Sequence, residues 1–258
     1  MMLNLDQFVE QLRMHGQLLS KAADSAGPDA PIPSCPEWNM RDLIHHTGSV
    51  HRWAHKHINE ASPKILPFNV DQIVGVWPTD EQLVSWFNDG VEQLATVLLA
   101  ADPDVQLGTF LAAPTPLLFW ARRQANETAI HRVDAQLANS GVTQFQPEFA
   151  CNGVDELLSG FITRTRTPLR SADAVSLSFV ATDADRMWTV AISADSVVTV
   201  AGSATDSTTN AVAATATVSA TSSDLFCLVW NRPTSGVPTV AGDQAVLDLF
   251  SSSIRIGQ

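Results

Sequence analysis

The sequence has no tyrosine, only three cysteines and few basic residues for its length. Among 258 residues, 15 are lysine or arginine and 27 are aspartate or glutamate, so the formal net charge is −12. A net charge of this sign repels phosphate groups, which argues against nucleic-acid binding and against an anionic membrane surface. Because tyrosine is absent, a catalytic proton donor would have to be histidine, aspartate, glutamate or arginine.

Cysteines and long apolar segments are equally scarce. Cys35, Cys151 and Cys227 are odd in number, widely spaced and without a CxxC motif. We therefore expect buried, unreactive thiols rather than a disulfide framework or a cysteine-based zinc site. No apolar run reaches the ~18 residues that a membrane span needs. Asp6 and Glu10 interrupt the segment where a signal peptide would be apolar. These features predict a cytoplasmic protein with no membrane partner.

The first half of the sequence carries apolar residues at helical spacing. Four amphipathic helices are predicted, at about 4–25, 39–59, 79–102 and 115–140. Asn39 with Asp42, and Thr79 with Gln82, have the spacing of capping boxes at two of the helix starts. Four helices with a long connection after the second predict a four-helix bundle, to which we assign residues 1–145.

The second half changes to a period of two, which is typical of strands with one buried face. Alternating runs occur at 175–179, 188–192, 198–200 and 212–220. Helices are predicted at about 154–164, 223–231 and 243–253. We expect residues 146–258 to form an α+β domain, with helices on one face of an antiparallel sheet.

A carboxylate–imidazole pair lies in the middle of the fourth predicted helix. Glu127 and His131 are four residues apart, so their side chains project from one face, and Asp134 shares that face. Such a pair can reach one divalent cation, and helix bundles commonly assemble metal sites from facing helices. A hydrogen-bonded pair on the helix surface is the ordinary alternative. The apolar residues around the pair favour an inward glutamate, which would need a partner.

The second predicted helix could supply a third ligand, because five of the seven histidines lie between residues 45 and 57. His51 and His55 are also four residues apart and could bind a metal or face water. His46 shares the apolar stripe of this helix, which favours an inward His46 and more peripheral His51 and His55. Three protein ligands would leave one position open, as catalytic zinc requires.

Three segments resemble the mycothiol-dependent maleylpyruvate isomerase family. They are PSCPEWNMRDLIHH at 33–46, ARRQANETAIHRVDA at 121–135 and SDLFCLVWNRP at 223–233. The resemblance covers nearly the whole chain. It implies a DinB-like four-helix metalloprotein bundle, followed by a C-terminal domain similar to sterol-carrier folds.

The resemblance also assigns site residues. The family binds one divalent metal, usually zinc, and the ligand positions fall on His46, Glu127 and His131. The position of Arg232 matches an arginine that helps substrate binding or catalysis, although a salt bridge at the domain junction is an alternative role. Many relatives have a histidine just before the glutamate, whereas this sequence has Asn126.

The function implied by the resemblance is that of a mycothiol-dependent isomerase or S-transferase. A thiol that coordinates a metal is deprotonated, so mycothiol would become a thiolate that adds to an electrophilic small molecule. Two alternatives stay open: a non-catalytic carrier that uses the sterol-carrier-like domain, and a metal-dependent hydrolase that activates water. We expect the chain to act as a monomer or homodimer.

Overall fold

The computed structural model describes residues 3–139, 141–205 and 214–254 of the chain. The chain divides into two compact units, the first spanning Leu3–Thr143 and the second beginning at Gln144. Among the described residues, no helix combines the length and the apolar character needed to cross a membrane.

Four long helices form the first unit, as the spacing of apolar residues predicts. They are α1 (Leu5–Ala26), α2 (Met40–Asn59), α4 (Leu83–Ala100) and α5 (Pro116–Leu137). The connection between α2 and α4 contains the short helix α3 (Val70–Val74) and a 3-10 turn (Asp80–Gln82). The predicted capping box at the start of α2 is present, because Asn39 and Asp42 exchange backbone-to-side-chain hydrogen bonds of 3.0 Å.

The order of the helices around the bundle differs from their order along the chain. Both α1 and α2 pack against α4 and α5, so that α1 and α2 are diagonally opposed although they are consecutive. Helices α2 and α5 are antiparallel, since the ring centroids of His57 and Trp120 are 4.6 Å apart at one end and those of His46 and His131 are 5.0 Å apart towards the other. This packing brings the first part of α2 beside the C-terminal half of α5.

His51 is fully buried in the bundle, whereas the stripe of apolar residues on α2 predicted a peripheral position. Its ring packs against Phe87 of α4, and its Nε2 lies 2.8 Å from the Thr128 hydroxyl of α5. Because α2 contacts two helices, its buried surface is wider than one stripe. The Thr128 hydroxyl donates its proton to the Gln124 carbonyl, so it accepts a hydrogen bond from His51 Nε2. His55 is only partly buried, as predicted.

The second unit is an α+β domain, as the change of period predicts. Its strands are β1 (Val175–Ala181), β2 (Arg186–Ile192), β3 (Val197–Gly202), β4 (Ala216–Ala220) and β5 (Thr239–Gly242). Its helices are α6 (Pro147–Asp155), α7 (Ser222–Val229) and α8 (Gln244–Ser253), with a π-helical segment, Glu156–Phe161, after α6. The predicted run 212–220 is a strand from Ala216; residues 206–213 lie outside the described part of the chain.

The sheet has the strand order β3-β2-β1-β4-β5 and is mixed rather than wholly antiparallel. β1 and β4 are parallel, with Phe179 opposite Val218, while the other neighbouring pairs are antiparallel. The physical reason for the difference is that alternation along a strand specifies its buried face but not which strand it pairs with or in which direction. The helices lie on one face of the sheet, as predicted. The ring centroids of Phe179 and Phe250 of α8 are 5.2 Å apart. Trp188, the cross-strand neighbour of Phe179, donates a hydrogen bond to Asp155 of α6.

The buried His51 makes the stability of the protein depend on pH. Burial is the main cause that lowers the pKa of His51 to about 3, compared with 6.5 for an unperturbed histidine. The unfolded chain therefore binds more protons than the folded chain between these values. The contribution to stability is fully present above pH 6.5 and is lost as the pH falls from 6.5 towards 3.

The variant His51→Gln keeps a donor for Thr128 but loses the titrating ring. Below pH 6.5, we expect it to reduce the slope of the unfolding free energy against pH by the amount that corresponds to roughly one bound proton. Urea unfolding of the metal-free protein at a series of pH values measures this slope. His55→Gln is the matched control from the same helix, and its effect should be smaller because His55 is only partly buried. Equal slopes for the wild type and His51→Gln would contradict the assignment.

Candidate metal centre

His46 of α2 and the pair Glu127 and His131 of α5 converge at one point in the first unit. One potential ligand atom from each lies within 4.8 Å of the other two. Glu127 Oε1 is 3.4 Å from His46 Nε2 and 3.2 Å from His131 Nε2. The helical spacing places Glu127 and His131 one turn apart on the same face, and the antiparallel packing of α2 brings His46 opposite them.

The cluster is buried on one side and accessible on the other. The side chain of His131 is 7% exposed, whereas those of His46 and Glu127 are 22% and 21% exposed. Low local polarity strengthens electrostatic interactions between such groups.

His131 is held by its other ring nitrogen. His131 Nδ1 lies 2.9 Å from Asp134 Oδ2, and the Ser34 hydroxyl donates a 2.5 Å hydrogen bond to Asp134 Oδ1. Asp134 is fully buried. This contact directs Nδ1–H towards Asp134 and Nε2 towards Glu127. Carboxylates commonly orient metal-ligating histidines in this way.

Glu127 is held by its other carboxylate oxygen. The buried Arg123, one turn earlier on α5, donates a hydrogen bond from Nη2 to Glu127 Oε2. Burial opposes the charge of Glu127, but the positive charge of Arg123 and the hydrogen bonds from His131 and His46 outweigh it and hold the pKa of Glu127 well below its ordinary value. Glu127 is therefore an ionised carboxylate.

The charge of His131 depends on its contacts with Asp134 and Glu127. Burial favours the neutral ring, but hydrogen bonds to Asp134 and Glu127 outweigh burial and raise the pKa of His131 to about 9. In the metal-free protein at neutral pH, the proton on His131 balances part of the surrounding negative charge. A divalent cation could take the place of that proton, because metal ligation requires a neutral imidazole.

The donor set fits a divalent metal. Two imidazole nitrogens and one carboxylate oxygen are ligands that zinc prefers, and three protein ligands leave one position open for water or substrate. The buried partners Arg123 and Asp134 direct Glu127 Oε1 and His131 Nε2 towards the same point. The side chains are thus oriented for ligation by their own hydrogen bonds.

The aromatic ring of Trp38 packs beside the cluster of His46, Glu127 and His131. Its ring centroid is 4.9 Å from that of His46 and 6.1 Å from that of His131. Trp38 belongs to the loop between α1 and α2, where its amide donates to the Cys35 carbonyl and its carbonyl accepts from the Ile32 amide. The same loop carries Ser34, which acts on the cluster indirectly, through its hydrogen bond to Asp134.

The structure brings together His46, Glu127 and His131, the three side chains that the sequence predicts as ligands. Asn126, which precedes Glu127 on α5, is fully buried. Sequence reasoning missed Ser34, Trp38 and Arg123. Arg123 could have been found, because it precedes Glu127 by four residues. Ser34 and Trp38 lie in the proline-rich segment 33–46 that carries the family resemblance, but this segment has no periodic pattern from which their contacts could be predicted.

Arg232, the predicted substrate-binding residue, lies in the second unit just after α7. Its amide donates to the Cys227 carbonyl and its Nη1 donates to the Trp230 carbonyl, both at 2.8 Å. The loop beyond it is held by the buried Asp224, which accepts a 2.8 Å hydrogen bond from the Ser235 amide. Arg232 is partly exposed on this well-anchored backbone.

A cavity of about 540 Å³ lies in the second unit, between α6 and the turn from β1 to β2. Its lining includes the charged residues Glu148, Asp155, Asp185 and Arg186. Burial raises the pKa of Cys151, which also lines the cavity, to about 11, so this thiol is not a nucleophile at neutral pH. A lining with four charged residues does not favour a carrier of apolar ligands.

Comparison with known proteins relates both units to one family. Residues 9–136 match the mycothiol maleylpyruvate isomerase N-terminal domain, and residues 148–249 match the C-terminal domain of the same family. Two crystal structures of the mycothiol-dependent maleylpyruvate isomerase, one of them of a mutant, have a similar fold, with TM-scores of 0.62 and 0.61 at 13% sequence identity. In both comparisons, 93% of this chain and 93% of that chain are covered. No curated protein matches the sequence. Because the two domain matches together span most of the chain, the protein belongs to the mycothiol-dependent maleylpyruvate isomerase family.

Proposed function

We propose that this protein is a metal-dependent isomerase that uses mycothiol as a thiol cosubstrate and acts on an electrophilic small molecule with a conjugated double bond. The observation that carries the proposal is the convergence of His46, Glu127 and His131, with one potential ligand atom each within 4.8 Å of the others. Membership of the family supports the thiol and the type of reaction.

Zinc is the metal that best suits the ligands. His46 Nε2, Glu127 Oε1 and His131 Nε2 would hold it. When bound, the cation lowers the pKa of a thiol at its open position and so makes a thiolate available at neutral pH. Free thiols have a pKa of about 8.5 and are mostly protonated at that pH. The cysteines of the chain are buried, so the reactive thiol has to come from a cosubstrate.

The protein's own residues bind and orient the reactants. Arg123 and Asp134 fix the orientations of Glu127 and His131, and Trp38 shields one side of the imidazoles from water. We assign to Arg232 the binding of a substrate carboxylate through paired hydrogen bonds. The thiol adds across the double bond, the new single bond rotates, and elimination returns the thiol and the trans product with no net consumption of atoms or electrons.

Loss of a predicted ligand should abolish metal binding. We expect His46→Ala and Glu127→Ala to lose most of the bound metal, because two protein ligands hold zinc far more weakly than three. Elemental analysis of the purified proteins measures the metal content. His55→Ala removes a partly buried histidine from the same helix and should retain the wild-type content. Near-wild-type metal in both ligand variants would exclude this site.

The thiol requirement distinguishes the isomerase from a hydrolase. With maleylpyruvate as the test substrate, we expect turnover by the metal-loaded protein to rise with added mycothiol and to reach background when the thiol is omitted. Chromatography of the products separates the geometric isomer from hydrolysis fragments. A rate that does not change with thiol concentration would favour water activation by the same ligands. Absence of metal together with a co-purified apolar ligand would favour the carrier.

The buried carboxylate of Asp134 should contribute to metal affinity through His131, although Asp134 is not one of the three candidate ligands. We expect Asp134→Ala to weaken zinc binding by about 10- to 100-fold, because His131 would lose the hydrogen bond that directs its Nε2. Competition with a chromophoric chelator measures the affinity. Ser34→Ala, which removes only the hydroxyl donor to Asp134, should have a smaller effect in the same direction. Wild-type affinity in Asp134→Ala would show that packing alone orients His131.

A further inference from the structure

We propose that Arg123 is a positioning residue that restricts Glu127 to one ligating oxygen and so keeps a coordination position free for the thiol. The inference rests on the metal centre proposed above, and it assigns a specific task to a residue of this chain. Its basis is the different surroundings of the two oxygens of Glu127.

The two carboxylate oxygens have separate partners. Oε1 faces the metal cluster, at 3.4 Å from His46 Nε2 and 3.2 Å from His131 Nε2. Oε2 accepts the hydrogen bond from Arg123 Nη2. Only one oxygen of Glu127 is therefore directed towards the two imidazole nitrogens.

The helix brings these three groups into a row. Arg123, Glu127 and His131 follow one another at intervals of four residues, so their side chains occupy successive turns of one face of α5. The Arg123 side chain is only 5% exposed. Water competes little for a buried guanidinium, which makes this ion pair stronger than a typical pair on a helix surface.

The number of ligating oxygens determines how many positions remain. A carboxylate can bind a cation through one oxygen or through both. With one oxygen from Glu127, the protein supplies three ligand atoms and leaves the open position that a catalytic zinc site needs. If Oε2 were released, it could occupy that position and compete with the thiol. The contact with Arg123 opposes this by engaging Oε2.

Arginine suits this role better than lysine does. The guanidinium keeps its charge at all relevant pH values, so it offers no free lone pair to a metal. Its planar group also has several N–H donors in a fixed geometry, which holds a carboxylate in a defined orientation. A lysine at residue 123 would retain the charge but would position Oε2 less firmly.

Cobalt-substituted protein provides a readout that does not depend on activity. The visible absorption of Co²⁺ weakens as its coordination number rises above four, and a bound thiolate adds a charge-transfer band in the near ultraviolet. We expect Arg123→Met to bind cobalt with weaker visible absorption. We also expect its affinity for 2-mercaptoethanol, titrated by the charge-transfer band, to fall by about 10- to 100-fold. Arg123→Lys should show a smaller change in the same direction.

The matched control is Arg13→Met, which removes an arginine paired with Glu92 at the partly exposed surface of the same unit. It should leave the visible absorption of bound cobalt and the thiolate charge-transfer band unchanged. The proposal is overturned if Arg123→Met has the wild-type spectrum and thiol affinity with only a lower melting temperature, since that result marks a purely structural ion pair. Loss of cobalt from a folded Arg123→Met would also overturn it. If Arg123→Met does not fold, Arg123→Lys decides: a wild-type spectrum and thiol affinity would then overturn the proposal.

These outcomes separate this inference from the proposed function. If the wild-type protein binds no cobalt, the metal centre itself is wrong and the inference fails with it. If the wild type binds cobalt and thiol, and Arg123→Met does so identically, the metal centre stands and only the role of Arg123 fails.

Discussion

The ionised carboxylate of Glu127 is the group on which the candidate metal centre and its link between α2 and α5 depend. A charge in a partly buried position is costly unless it is paired and hydrogen-bonded. Here Arg123 engages one oxygen, and His46 and His131 approach the other from two different helices. Because both helices contribute partners to one carboxylate, α2 and α5 are constrained in their rotation and in their position along each other. The same constraint produces a convergent set of donors for a cation.

The loop before α2 extends this arrangement beyond the helices. Ser34 binds Asp134, which binds His131, and Trp38 lies against the rings of the two histidines. At the start of α2, Arg41 pairs with Asp80, which precedes α4 in the chain, at 2.6 Å. An exposed ion pair of this kind contributes little to stability by itself. Together these contacts fix the beginning of α2, from which His46 projects.

The second unit offers different chemistry. Its mixed sheet is covered by helices on one face, and Arg232 follows α7 on a backbone held by hydrogen bonds to Cys227 and by the Asp224 contact beyond it. A partly exposed guanidinium on a fixed backbone is suited to recognise a carboxylate. We therefore divide the proposed activity into thiol activation by residues of the helical unit and substrate binding by Arg232.

Local patterns in the sequence predicted the four long helices, most strands and the face shared by Glu127 and His131, whereas they missed α3 and placed the start of α6 about seven residues too late. Helix capping, the 3.6-residue period and the two-residue period depend on neighbouring residues, which the sequence displays directly. A four-residue strand such as β5 is too short to show alternation, and the parallel pairing of β1 with β4 joins segments that are distant in the chain.

The sequence by itself determined that Glu127 and His131, one turn apart on α5, could ligate one metal ion. It also favoured His46 as the third ligand. Only the tertiary structure decided that His51 is buried, that Ser34 and Trp38 reach the cluster, and that Oε2 of Glu127 is engaged by Arg123. The physical reason is that helical periodicity specifies directions around one axis. The contacts of a loop, and the burial of a helix between two neighbours, depend on how separate segments pack.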